Sequence, residues 1–141
     1  LAARFHDVGK IGIPDDVLLH PGKLDDSRMS VMRSHPERGA RLFTATGRSD
    51  ALAVAKLIRH HHEAWDGSGY PHGLQGEEIP LESRILTLVD GFDAMTSERP
   101  YRGPMSTQRT IEILAAQRGK LVDPRLFGEF MGLLRDTSST A

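Results

Sequence analysis

Ala51, Val54, Ala55 and Ile58 recur at three- and four-residue spacing, and three consecutive histidines, His60, His61 and His62, follow at once. Such spacing is one stripe of an α-helix, and an apolar stripe must face a core. Counting from Ile58, His61 is i+3 and His62 is i+4, so the register carries both towards the interior. His60 falls off the stripe and is expected to face solvent. Two adjacent core imidazoles need several partners between them, and metal ligation competes with simple hydrogen bonding. The helix is expected from about Asp50 and must end before the glycine-rich stretch Asp66-Gly67-Ser68-Gly69-Tyr70-Pro71.

The rest of the chain has the same period. Leu1 and Phe5, at i and i+4, predict the last turns of a helix that Gly9, Gly12 and Pro14 break. Residues 8–24 read as a loop with a turn at Pro21-Gly22. Asp25 suits an N-cap, with Leu24 and Met29 at hydrophobic-staple spacing. Pro36 disfavours helix at His35 and suits the first turn of a new helix, so His35 is expected at a break between two helices. Pro80 opens another helix, whose apolar face is expected to hold Ile85, Leu88, Val89 and Phe92. Two shorter helices follow, one over about 107–117 and one from Asp123-Pro124 that carries Leu126, Phe127, Phe130 and Leu134 inward. No alternating strand pattern competes, so the fold class is all-α. One domain is expected over 1–135, with a small polar tail over 136–141 that frays.

Composition narrows the chemistry. The 141 residues suffice for one domain. There are no cysteines, which removes disulfides, thiolate metal sites and cysteine nucleophiles together. Eighteen basic against nineteen acidic residues leave a net charge of -1, which argues against a nucleic-acid clamp or a basic membrane-surface binder. No apolar run is long enough to cross a membrane. Seven histidines remain to be explained. Asp90 follows Ile85-Leu86-Thr87-Leu88-Val89 in the most apolar helix, where an unpartnered carboxylate would cost several kcal/mol. His6, His35, His61 and His62 as nitrogen donors, with Asp7 and Asp90 as oxygen donors, suit iron, manganese or zinc. Six candidates exceed what one zinc takes, so a two-metal hydrolytic centre is the sharper reading. His20 and His72 read as surface residues. Trp65 reads as a core anchor or as a surface for stacking a base.

The run from His6-Asp7-Val8-Gly9-Lys10 to Pro14 resembles the signature of the HD superfamily of metal-dependent phosphohydrolases. The run His61-His62-Glu63-Ala64-Trp65-Asp66-Gly67-Ser68-Gly69-Tyr70-Pro71 resembles the motif of its HD-GYP branch. Pro21-Gly22-Lys23-Leu24, His35-Pro36-Glu37, the stretch from Asp90 to Ser97, and Arg99-Pro100-Tyr101-Arg102 match the same family in the same order. The resemblance implies an HD-domain helical bundle with a metal centre in the core. It implies hydrolysis of cyclic di-GMP to linear pGpG, in some members onward to GMP. The implied metal ligands are His6, Asp7, His35, His61, His62 and Asp90, with Asp7 bridging. Two divalent ions are implied, or three in a complete domain, with iron or manganese favoured. Lys10 corresponds to the family lysine that contacts the scissile phosphate or assists the nucleophile. Arg99 and Arg102 correspond to residues that grip the phosphates. For the loop Gly69, Tyr70 and Pro71 the reading is structural, or docking of a diguanylate cyclase or another signalling protein.

The family has a further helix before the His-Asp motif, which supplies additional ligands. The expectation is therefore a truncated domain with an apolar groove and an incomplete metal shell, preceded in its parent by a receiver or sensor domain and cytoplasmic. Two other readings stay open. One is a catalytically silent module that binds nucleotide or a protein partner. The other is a phosphohydrolase for another cyclic dinucleotide or a nucleotide.

Overall fold

The structure is a computed structural model, and it describes residues 1–98 and 103–138. Eight α-helices form among these residues: α1 (Ala2–Phe5), α2 (Asp15–Leu18), α3 (Asp26–Met32), α4 (His35–Thr44), α5 (Ala51–Arg59), α6 (Leu81–Thr96), α7 (Thr107–Ala116) and α8 (Pro124–Ser138). Two 3-10 turns join them, at Val8–Gly12 and Gly76–Glu78. No strand forms among the described residues; Asp66 with Gln75 and Arg118 with Val122 make isolated bridges only. The all-α expectation holds.

Local chemistry sets the helix starts. Asp25 caps α3 by accepting from the Arg28 N–H at 2.8 Å. Ser106 does the same for α7 through the Arg109 N–H. Asp123 Oδ1 accepts from the Arg125 N–H at 2.8 Å, while Oδ2 accepts from Arg84 Nη1 at 2.8 Å, so one carboxylate starts α8 and ties it to α6. Pro36 lies in the first turn of α4, directly after the break expected at His35.

Two apolar clusters make the core. Ala40, Phe43, Ala51, Val54, Ala55 and Ile58 join α4 to α5. Leu88, Leu114, Val122 and Phe127 join α6, α7 and α8, with Phe92, Leu126 and Phe130 packed against them. The α5 stripe is thus where the sequence places it.

Several expectations need correction. Residues 8–24 are not a plain loop, because the 3-10 turn and α2 occupy much of it. Gly9 does more than break α1: a Cβ there would stand 1.9 Å from the His35 carbonyl oxygen, so the 3-10 turn sits backbone-to-backbone on α4. Ile85 and Val89 are exposed, whereas Ser83, Leu86 and Leu88 are buried. Helix α6 is rotated from the expected register because a polar row on it binds α5. Ser83 Oγ donates to the Leu57 carbonyl and Thr87 Oγ1 to that of His61. Helix α8 runs from Pro124 to Ser138. Leu1, Ala3, Val54, Leu57, Ile85 and Val89 line an apolar groove, and Leu1, Phe5, Val8, Ile11, Leu42 and Phe43 line another.

Candidate metal centre

Four segments distant in sequence bring their donors together. Ligand atoms of Asp7, His35, His61 and His62 all lie within 4.8 Å of one another. Asp7 precedes the 3-10 turn, His35 opens α4, and His61 and His62 follow the end of α5. That helix stops at Arg59, so the histidines form a turn rather than its last helical residues. His61 still reaches the core and is 2% exposed.

Three histidines are held by one local device. His6 Nδ1 lies 2.9 Å from the Ala3 carbonyl, His35 Nδ1 2.8 Å from that of Met32, and His61 Nδ1 2.6 Å from that of Ile58. Each carbonyl lies three residues back and can only accept, so each Nδ1 carries the proton. In its neutral form a ring held this way presents Nε2 as a lone pair. These lone pairs converge. His35 Nε2 is 3.4 Å from His61 Nε2 and 3.2 Å from Asp7 Oδ1, which in turn is 3.9 Å from His61 Nε2. Asp7 Oδ1 is buried and has no hydrogen bond of good geometry. Acceptors facing one another with no proton between them are what a cation satisfies, and backbone-held imidazoles with a carboxylate are a fitting donor set for a divalent metal.

The second oxygen of Asp7 faces elsewhere. Lys10 Nζ donates to Oδ2 at 2.6 Å, and His6 Nε2 lies 3.6 Å from it. His6 Nε2 is also 3.4 Å from Asp90 Oδ1. The structure therefore brings together all six expected ligands, His6 and Asp90 as an adjoining pair beside the other four. Asp90 is not buried as expected: its side chain is 37% exposed, because it ends the polar row of Ser83 and Thr87 at the rim of the site.

Charge follows these contacts. Burial pushes the Asp7 carboxyl up, but His35 and Lys10 beside it outweigh that and hold it well below the usual carboxylate range. Burial lowers His61 to about 4 and His62 to about 3. The hydrogen bond with Asp90 raises His6, and the same contact lowers Asp90. At neutral pH His61 and His62 are thus neutral imidazoles beside the ionised carboxylates of Asp7 and Asp90.

The Gly-Tyr-Pro loop packs on this centre. The Tyr70 ring stacks on His62 with centroids 4.9 Å apart, and the Arg33 guanidinium lies 5.3 Å from the Tyr70 centroid on the other contact. Gly69 is required here, since a Cβ would stand 2.2 Å from the Ala64 nitrogen. Trp65 is half-buried with the Arg84 guanidinium over its ring at 5.7 Å, packed away from the donors. Arg99 and Arg102 lie outside the described residues. One expectation about the neighbouring residues fails, and one residue was missed. His60 is buried, at 8% exposure, because the turn after Arg59 swings it inward onto Glu63. Glu63, which the residue-level reading passed over, is 1% exposed, and its carboxylate accepts from the backbone N–H of His72 at 2.8 Å and of Leu74 at 3.0 Å. Its place directly after the adjacent His61 and His62 was the available signal.

A helical domain that gathers histidines and carboxylates from four segments into one cluster has the donors to hold a metal ion. The HD domain family model matches residues 1–126, and the chain belongs to that family. The chain is 49% identical over 125 residues to the cyclic di-GMP phosphodiesterase response regulator RpfG of Xanthomonas campestris pv. campestris, covering 89% of this chain and 33% of that protein. It is 44% identical over 137 residues to a cyclic di-GMP phosphodiesterase of Vibrio cholerae, covering 94% and 28%. A solved structure of a cyclic GMP-AMP specific phosphodiesterase from V. cholerae superposes with a TM-score of 0.65 at 29% identity, covering 85% of this chain and 26% of that one. The chain thus spans about a third or less of the length of these relatives. Among the described residues no helix is long and apolar enough to cross a membrane.

Proposed function

We propose that this domain is the catalytic unit of a cytoplasmic metal-dependent phosphodiesterase that opens a 3′–5′ phosphodiester of cyclic di-GMP to give pGpG, with GMP from a second cleavage. The observation that carries this reading is the unsatisfied Asp7 Oδ1 among imidazole lone pairs. Relatives named for cyclic di-GMP hydrolysis support the substrate.

In this reading His6, Asp7, His35, His61, His62 and Asp90 would hold two divalent ions, iron or manganese by preference, with the two oxygens of Asp7 turned to different neighbours. Such ions, when bound, supply Lewis-acid polarisation of the phosphodiester and activation of the attacking water. The chain does the rest. Backbone carbonyls hold the His6, His35 and His61 rings with Nε2 towards the centre, and burial keeps His61 and His62 unprotonated. Lys10 steadies Asp7 and adds positive charge beside the position where phosphoryl oxygens gain charge. Arg99 and Arg102 are assigned to grip the phosphates and to add positive charge where the phosphoryl oxygens gain charge. Tyr70 braces His62, which makes the Gly-Tyr-Pro loop a positioning element.

A second substrate has support from a relative named 3′3′-cGAMP-specific phosphodiesterase 2, at 41% identity over 125 residues. The test is the full-length protein, loaded with iron or manganese and given each dinucleotide, with products separated by chromatography. Linear pGpG is the expected product, and Asp7→Ala is expected to lose bound metal and at least 100-fold in rate. Metal-loaded protein that cleaves neither dinucleotide overturns the reading; preference for 3′3′-cGAMP keeps the chemistry and changes the substrate.

A further inference from the structure

A second set of donors lies outside the Asp7 centre. Ligand atoms of His60, Glu63 and His72 fall within 4.8 Å of one another. His60 Nδ1 is 3.5 Å from Glu63 Oε1, and His72 Nδ1 is 3.9 Å from the same oxygen. Glu63 and His60 are buried, whereas the His72 side chain is 48% exposed. The two rings stand 5.2 Å apart, tilted at 52°.

The Glu63 carboxylate is deeply buried and only partly compensated. Its oxygens accept from the His72 and Leu74 amides, but neither amide carries a full charge. Arg59, whose charge is felt at His60, is engaged by Glu37 at 3.1 Å. His72 lies between two carboxylates: Nε2 is 3.7 Å from Glu37 Oε1 and Nδ1 faces Glu63. With the Glu37 carboxylate facing Nε2, the tautomer that carries its proton there turns an Nδ1 lone pair on Glu63. Carboxylate, imidazole and cation in that order are a recurring way of orienting a ligating histidine. A tetrahedral site with bonds of about 2.1 Å spaces its donors roughly 3.4 Å apart, close to the separations here.

We propose that His60, Glu63 and His72 form a mononuclear site for a divalent transition metal of the zinc type, distinct from the Asp7 centre, with Glu37 orienting His72 and a coordination position open on the solvent side. Two nitrogens and one oxygen suit zinc-like ions. Its consequence is mechanical. The site clips residues 72–74, directly after Tyr70-Pro71, to the turn that ends α5. An ion there braces the loop whose Tyr70 stacks on His62. The inference does not depend on which phosphodiester the domain cleaves.

The test strips the full chain with chelator, equilibrates it at fixed micromolar free Zn²⁺, and counts bound zinc by mass spectrometry. Cobalt substitution, followed by visible absorption, reports tetrahedral geometry. His72→Ala is the informative variant, because the His72 backbone amide that Glu63 uses is kept. Wild type is expected to hold one zinc equivalent more than His72→Ala, and zinc is expected to raise the wild-type melting temperature by several degrees more. Circular dichroism of the stripped proteins is expected to coincide. His72→Asp, which keeps an oxygen donor, is expected to recover the equivalent at about tenfold weaker affinity. Equal zinc content in wild type and His72→Ala overturns the proposal and leaves a plain His72–Glu63 ion pair. So does a loss in His72→Ala that His72→Asp fails to recover.

Discussion

Single residues decide how closely the segments of the site approach. Gly9 lets the Val8–Gly12 turn lie against the His35 carbonyl, and that contact brings Asp7 within 3.2 Å of His35 Nε2. A methyl group at 1.9 Å from a backbone oxygen cannot be relieved by a rotamer change, so the turn must move. Gly9→Ala is expected to cost about 2 kcal/mol or more in urea denaturation and to weaken metal binding. Gly128 supplies the opposite sign. It lies within α8 with nothing near its absent Cβ, so Gly128→Ala is expected to stabilise by about 0.5–1 kcal/mol. At this scale the sequence was legible for identity and blind to contact. His61 and His62 lie where the register from Ile58 points, yet no glycine or proline marks the end of α5 at Arg59. The turn that begins there is what buries His60 and Glu63.

At the scale of elements, apolar periodicity announces a helix more reliably than it announces the face that is buried. Helix α6 is apolar at so many positions that two registers fit the pattern. Its orientation is decided by polar contacts: Ser83 to Leu57, Thr87 to His61, and Asp90 to His6. These lie at i, i+4 and i+7, one face of the helix, and they fix the histidine turn against α6. Such pairing across 26 residues or more has no signature in composition or spacing. Thr87→Val keeps the shape of the side chain and removes the hydroxyl that donates to the His61 carbonyl. The variant is expected to lose about 1 kcal/mol of stability, and metal affinity is expected to fall roughly tenfold as the turn loosens. Calorimetric metal titration separates the two effects. Unchanged affinity would mean that the Ile58 carbonyl alone positions His61.

For the whole molecule, the site is a joint between the two apolar clusters: His35 and the histidine turn come from the α4–α5 side, and Asp90 from the helix that carries the other. Its donors titrate with the fold, which makes stability depend on pH in a direction that can be worked out. Burial holds His61 near 4 and His62 near 3, against 6.5 in the unfolded chain. Between about 4 and 6.5 the unfolded chain therefore binds more protons at these positions, and stability falls as pH falls through that window. His6, raised by its hydrogen bond with Asp90, acts in the opposite sense: its contribution is present below 6.5 and is lost as pH rises through its folded value. Two depressed imidazoles outweigh one raised imidazole. Asp7 and Asp90, both lowered, add a further loss only below the usual carboxylate range, near 3.8. The metal-stripped protein is thus expected to show a lower urea midpoint at pH 5 than at pH 7, with a second decline below pH 4. A midpoint that holds or rises on acidification to pH 5 would refute neutral, buried His61 and His62. With divalent metal bound, the same acidification is expected to be steeper, because protons and the cation compete for the same lone pairs.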